Sequence, residues 1–385
     1  MKDLGIKITD RIKTVLQSEK EFLHEPRFNE EEVNILKKCI ESTFVSTVGQ
    51  YVNQFENEIA NYTKSKRAIA VVNGTSALHI ALKLSGVAEN EEVICPALTF
   101  VATGNAIRYL NAIPHFVDCN EKTLGIDPSS LITWLDMTCE KISGTLVNKN
   151  TGRKISAIVP MHTFGHPSEI TKIIEIGEKF GIPIIEDAAE SLGSFYKDQH
   201  TGTFGKFGVL SFNGNKIITT GGGGVILTND IDLADRAKHI TNTAKVTHQW
   251  RYIHDEIGYN YRMPNLNAAL GCAQLRKLDE FCKSKRNLYL KYEEAFRNFQ
   301  GITLFHEPSF SRSNYWLQTL ILDKGLENEL ENILEYTNNN GIMTRPAWEL
   351  LPYLKIFKSC PKAPLPIAHS LSKRIINIPS SAYLV

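Results

Sequence analysis

Little in this sequence points to a membrane, an extracellular framework or a nucleic acid. Its longest apolar runs, such as Ile69-Ala-Val-Val72, fall far short of the ~20 residues that a spanning helix needs. The first residues, Met1-Lys-Asp-Leu-Gly-Ile-Lys-Ile8, hold no apolar stretch before a small-residue cleavage site, so no secretory signal is read and a cytoplasmic location is expected. The seven cysteines (Cys39, Cys95, Cys119, Cys139, Cys272, Cys282 and Cys360) are scattered, odd in number and free of any CxxC pair. That spacing argues against a disulfide framework and against a structural zinc. Lys+Arg 43 against Asp+Glu 42 leaves a net charge of +1, without the basic surplus that neutralises phosphates in nucleic-acid proteins. Internal repeats, low-complexity tracts and charge blocks are also missing.

What is there is an ordinary globular composition over 385 residues, 42% hydrophobic and 22% charged. Short apolar runs alternate with helical patterns. Arg67–Val72, Glu92–Cys95, Ile113–Asp118, Ile155–Pro160 and Ile182–Asp187 read as buried strands separated by helical stretches. Phe207–Phe212 and Gly224–Thr228 add two more strands around a glycine cluster. This alternation predicts an α/β fold with a mostly parallel, seven-stranded sheet covered on both faces. From Pro264 the spacing of Leu266, Ala269, Leu270 and Ala273 predicts one long helix running to about Asn298, then a smaller α+β unit. The expected division is 1–265 for the N-terminal segment and large domain, and 266–385 for the linking helix and small domain.

In such a sheet, ligands bind at the carboxyl ends of strands, where helix N-termini point. Four features fall at such places. Asn73-Gly74-Thr75-Ser76 follows a strand and opens a helix, so its N–H groups and the Thr75 and Ser76 hydroxyls form a phosphate cradle; either hydroxyl could equally be a plain helix cap. Asp187 ends an apolar strand, and a carboxylate buried there needs a partner, of which a protonated heterocyclic nitrogen is one. Lys216 stands among uncharged residues on a turn after a strand, as a lysine forming a Schiff base does, although a lone lysine is more often at the surface. Phe100 is placed to stack on a flat ring, or simply to fill core.

Together these features, in this order, resemble fold-type I pyridoxal-phosphate enzymes, and more narrowly the DegT/DnrJ/EryC1/StrS family of sugar aminotransferases. The resemblance rests on Asn73–His79, Cys95–Thr103, Ile185–Gly193, Ser211–Lys216, Gly258–Met263 and Ala268–Leu275, and spans the chain from about Leu23 onward. It implies that Lys216 carries pyridoxal 5'-phosphate as an internal aldimine, with pyridoxamine phosphate as the intermediate. It further implies that Asp187 pairs with the pyridinium nitrogen, that Gly74, Thr75, Ser76 and Ser211 hold the phosphate, and that Phe100 covers the ring. Asn260 matches an asparagine reaching the neighbouring subunit's cofactor, which implies a homodimer with shared active sites. Glu190 stands where many relatives carry glutamine against the ring hydroxyl, and an ionised carboxylate would repel a phenolate there. Some relatives exchange the lysine for histidine and become dehydratases; Lys216 speaks against that branch.

His24-Glu-Pro and Thr47–Val52 resemble members that aminate 4-keto nucleotide sugars on the way to legionaminic acid or related surface sugars. The implied substrates are a nucleotide-linked keto-sugar and an amino-acid donor, L-glutamate by analogy. His162, Arg262, Arg345 and Trp348 are candidate substrate contacts. His162 and His166 are four apart, but Gly165 and Pro167 break helical geometry, so no metal is expected. Two other readings stand beside this one. A cofactor-binding regulatory or assembly protein would not need the whole lysine, aspartate and phosphate set. A nicotinamide enzyme would need a Gly-x-Gly-x-x-Gly turn, which Gly202–Gly208 echoes only with different spacing.

Overall fold

The computed structural model describes residues 2–384. The large sheet is built from β1 (Arg67–Val71), β2 (Glu92–Pro96), β3 (Ile113–Val117), β4 (Ile155–Ile158), β5 (Ile185–Asp187), β6 (Phe207–Ser211) and β7 (Gly224–Thr228). Their order is β1-β7-β6-β5-β4-β2-β3, with β4 and β5 joined by parallel bridges at Ile158–Ile184 and Met161–Asp187. Only β7 runs antiparallel to its neighbours; the other pairs are parallel. The strands are buried along nearly their whole length, which is why they read as continuous Ile, Val and Ala rather than as an alternation.

The helices include α1 (Lys2–Leu16), α2 (Gly74–Leu84), α3 (Val101–Arg108), α4 (Asn265–Leu275), α5 (Leu278–Phe296) and α6 (Leu330–Asn339). The smaller unit is an antiparallel sheet of β8 (Ile302–Leu304), β9 (Gln318–Leu322), β10 (Arg345–Pro346) and β11 (Ile375–Ile378), in the order β8-β9-β11-β10. Among the described residues no helix is long and apolar enough to cross a membrane.

One expectation about the second half needs correction. The single helix expected from Pro264 to Asn298 is two, broken at Arg276-Lys277. Nothing at the break is Gly or Pro. Arg276 reaches Glu31 (2.7 Å), and Lys277 reaches both oxygens of Glu32 (2.6 and 2.7 Å), so distant carboxylates meet the chain where it breaks. Packing also crosses the division expected at residue 265. Ala268, Ala269, Cys272 and Ala273 of α4 belong to the large core. Ile8, Ile12 and Leu16 of α1, spaced one turn apart, pack with Leu288, Tyr292, Ile333 and Leu334 in the core of the smaller unit. The chain's first helix therefore completes its last domain, a long-range docking that local spacing cannot reveal.

Candidate active site

A cavity of about 350 Å³ opens at the carboxyl ends of the large-sheet strands, walled by Asn73, Gly74, Thr75, Phe100, Asp187, Glu190, Ser211, Lys216, Trp316 and Trp348, among others. Residues far apart in sequence meet here because β1, β5 and β6 all end at this edge. At the start of α2, Asn73 is extended and its side chain accepts the Ser76 N–H at 2.7 Å. Asn73 is thus the cap, and neither hydroxyl does that work. Thr75 lines the cavity, whereas Ser76 is buried beside it and does not. The first intrahelical bond runs from Ala77 N–H to Asn73 O, so the amides of Gly74 and Thr75 precede the helical ladder and remain as anion donors. A Cβ on Gly74 would stand 3.1 Å from the Ser211 Cβ, a closeness that lets the helix start and the serine share one anion.

Asp187 is fully buried. Its Oδ2 accepts from the Thr103 hydroxyl (2.7 Å) and its Oδ1 from Ala189 N–H (3.2 Å). Burial pushes its carboxyl above the usual range, and these two donors pull it back. Thr103 is a residue that sequence reading passed over. It sits in the first turn of α3, and its hydroxyl is also 3.0 Å from that of Thr99. The i, i+4 spacing of two threonines ahead of an apolar helix was the available signal. Phe100, half exposed at the start of α3, meets Trp348 edge-on at 6.2 Å.

Lys216 lies on the turn after β6. Its Nζ is 3.2 Å from Glu190 Oε1 and 4.0 Å from the centroid of the Trp316 ring. The indole is held by a bond from its Nε1 to Asn215 O (2.7 Å). Glu190 Oε2 accepts from Phe164 N–H (2.9 Å), and Phe164 adopts a left-handed backbone (φ 55°), an uncommon conformation for a bulky residue. Burial, only partly offset by Lys216, pushes the Glu190 carboxyl up to about 7. It is therefore part-protonated near neutrality, which removes the objection that a fixed negative charge would repel a phenolate.

The raised Glu190 value carries a stability prediction for the cofactor-free protein. The folded state keeps this proton up to about pH 7, while the ordinary carboxyl releases it near 4.5. The contribution of Glu190 to stability therefore falls as pH rises through that window. Glu190→Gln should gain on the wild type between pH 5 and 7.5, by roughly 1–3 kcal/mol once its ion pair with Lys216 is allowed for. Denaturant unfolding at both pH values measures this; an equal difference at the two would contradict it.

The remaining candidates divide. His162 does not line the cavity, contrary to expectation. It is fully buried, with its Nε2 3.1 Å from Glu186 Oε2 and its Nδ1 accepting Ser168 N–H. Glu186 in turn accepts the N–H groups of Gly202, Phe204 and Gly205 (2.8, 2.7 and 2.8 Å), which explains the glycine loop as a clamp on a buried carboxylate. Arg262 also stays outside, paired through its backbone with Val71. Trp348 lines the cavity, and Arg345 lines a neighbouring one while donating to Asn338 Oδ1 (3.0 Å). Asn260 is exposed and does not line this chain's cavity; the strongly exposed Trp250, Tyr252 and Ile257 precede it in the chain. His239, Asp255 and Glu256 converge, but none lines the cavity and Arg236 already engages Glu256.

The donor set matches a phosphorylated heterocycle. It offers amides and hydroxyls for an anion at one end, a buried carboxylate for a cationic N–H, an aromatic ring for a face, and an amine between them. Residues 26–384 match the model of the DegT/DnrJ/EryC1/StrS aminotransferase family. The chain is 36% identical over 358 residues to the GDP-perosamine synthase of Escherichia coli O157:H7, covering 93% of this chain and 92% of that enzyme. It superposes with a TM-score of 0.83 at 26% identity on a DegT DnrJ EryC1 StrS aminotransferase from Brucella abortus, over 92% of this chain and 91% of that one. PseC of Helicobacter pylori, an aminotransferase involved in the biosynthesis of pseudoaminic acid, shares the fold with a TM-score of 0.86 at 23% identity over 95% of each chain.

Proposed function

The chain belongs to the DegT/DnrJ/EryC1/StrS family and is a pyridoxal phosphate-dependent sugar aminotransferase, and on that premise we propose that it moves an amino group from L-glutamate to C4 of a nucleotide-linked keto-deoxysugar. The observation that carries this reading is Lys216 Nζ set between Glu190 and Trp316, in one cavity with the buried Asp187. When bound, pyridoxal phosphate supplies an electron sink and carries the amine between donor and acceptor.

The chain's own groups do the rest. The Gly74 and Thr75 amides and the Ser211 hydroxyl bind the phosphate, and Phe100 covers one face of the ring. Asp187, oriented by Thr103, holds the proton on the ring nitrogen. Lys216 Nζ is the amine that would anchor the cofactor and, as general acid and base, would move the proton at the donor's Cα and then at the sugar carbon that receives the amine. Glu190, part-protonated at neutral pH, lies within reach of Lys216 Nζ and serves as its proton partner. The Trp316 ring keeps Nζ pointed into the cavity.

A homodimer with shared sites is supported by the exposure of three large apolar residues, Trp250, Tyr252 and Ile257, in the segment that leads to Asn260. The sugar product suits bacterial surface polysaccharide or nonulosonic acid synthesis, and His24-Glu-Pro supports the legionaminic acid branch. The test is to incubate the protein, loaded with pyridoxal phosphate, with L-glutamate and UDP-, GDP- or dTDP-linked 4-keto-sugars, and to follow products by mass. An aminated sugar nucleotide is expected. Conversion of glutamate with no sugar aminated would overturn the acceptor assignment.

A further inference from the structure

A second cavity of about 490 Å³ shares Asn215, Trp316 and Trp348 with the one that holds Lys216, so the two are neighbouring lobes. Its wall includes Phe22, His24, Met343 and Arg345. Both ring nitrogens of His24 are closed to solvent and have no hydrogen-bond partner. Buried polar groups in folded proteins are nearly always paired, so two orphan nitrogens on a cavity wall call for a ligand. His166 shows what the alternative looks like. Its nitrogens are orphaned too, but its ring packs against Phe305 (4.7 Å) and Tyr315 (5.4 Å) and lines none of the cavities described.

The chain around His24 is fixed from both sides. Glu21 N–H donates to Gly341 O (3.0 Å), and Met343 N–H donates back to Glu21 O (2.9 Å). Ser380 N–H donates to Leu23 O (2.8 Å), and Glu25 N–H to Ser381 Oγ (2.9 Å). The ring is therefore presented on a rigid segment, as a recognition group requires. Nearby, Lys285 is wholly buried and donates to the carbonyls of Trp316 (3.0 Å) and Ser380. Burial, followed by the charges of Lys285 and Lys216, holds His24 well below the usual histidine range. At neutral pH its ring offers one N–H donor and one bare nitrogen acceptor, without charge. Such a ring matches a hydroxyl or an amide, whereas a diphosphate calls for cations.

We propose that His24 is a specificity-determining residue that hydrogen-bonds a hydroxyl or amide substituent of the acceptor's sugar ring in the lobe beside Trp316. The proposal rests on the nucleotide-sugar reading above. Asn215, Trp316 and Trp348 border both the cavity that holds Lys216 and this lobe, so the lobe adjoins the place where an acceptor ketone would react.

The test compares His24→Ala and His24→Gln with the wild type, each loaded with pyridoxal phosphate. Three readouts are used: conversion by L-glutamate followed by absorbance, amination of whichever panel keto-sugar the wild type converts, and binding of the bare nucleoside diphosphate. His24→Ala should raise the keto-sugar KM about tenfold, the loss of one buried hydrogen bond. Its glutamate step should stay within about twofold, and its affinity for the bare nucleoside diphosphate should hold. His24→Gln, which keeps a donor and an acceptor, should recover most of the KM. An unchanged KM in His24→Ala, or equal losses in the glutamate step and in nucleotide binding, would overturn the proposal while leaving the aminotransferase reading standing. A wild type that converts glutamate but no sugar would remove both the acceptor class and this role for His24.

Discussion

Lys216→Ala should fold normally and lose turnover by a factor of at least about 10⁴, the upper range for a single proton-transferring group. The fold has little invested in this side chain. Its ammonium meets one carboxylate oxygen of Glu190 and one indole face, and it caps no helix and fills no core. The chemistry has nearly everything invested in it. Among the residues lining the cavity it is the only amine, so the substitution removes the group proposed both as covalent anchor and as proton shuttle. Two measurements check this. Single-turnover absorbance with L-glutamate should show no conversion on the wild-type timescale. Borohydride treatment followed by mass analysis should leave the variant unlabelled, where the wild type retains the cofactor on the peptide holding Lys216. A labelled variant, or one with wild-type turnover, would sink the assignment.

Asp187→Ala should lower kcat by about 10²–10³, the size seen when a preorganised electrostatic group at a reacting centre is removed. The carboxylate is fully buried and lies at the end of β5, held by Thr103 and Ala189, so its charge acts in a water-poor setting. Without it nothing on that wall holds a proton on the ring nitrogen, and the electron sink weakens. The proposed phosphate ligands Gly74, Thr75 and Ser211 are on other elements, so cofactor affinity should fall far less than kcat. Titrating pyridoxal phosphate into the variant and measuring kcat at saturation separates the two. A variant whose whole defect disappears at saturating cofactor would show that Asp187 only helps to bind it.

Much of this site was legible from local spacing. A strand followed at once by Asn-Gly-Thr-Ser, a strand ending in Asp187, and a strand followed by Lys216 each placed a reactive group at a strand end, and the structure puts Gly74, Thr75, Phe100, Asp187, Glu190, Ser211 and Lys216 around one cavity. Other roles were not legible. His162, a candidate for the pocket wall, instead serves the buried Glu186 clamp. Thr103 and Trp316 acquire their roles through contacts with residues far away in the chain, and His24 through a cavity wall that it shares with residues a hundred or more positions away.

By itself, then, the sequence determined the parallel sheet, the order of its strands and helices, and the set of groups at the strand ends. These stem from burial on both faces and from backbone geometry at helix starts, which are local properties. The tertiary structure alone decided where the helix after Pro264 breaks, that α1 packs into the small unit, that Glu190 faces Lys216 in a buried setting that raises its carboxyl, and that His24 lines the lobe beside Trp316. Each of those depends on which distant surfaces meet and how much water they exclude. No local pattern encodes that, because desolvation belongs to the assembled core.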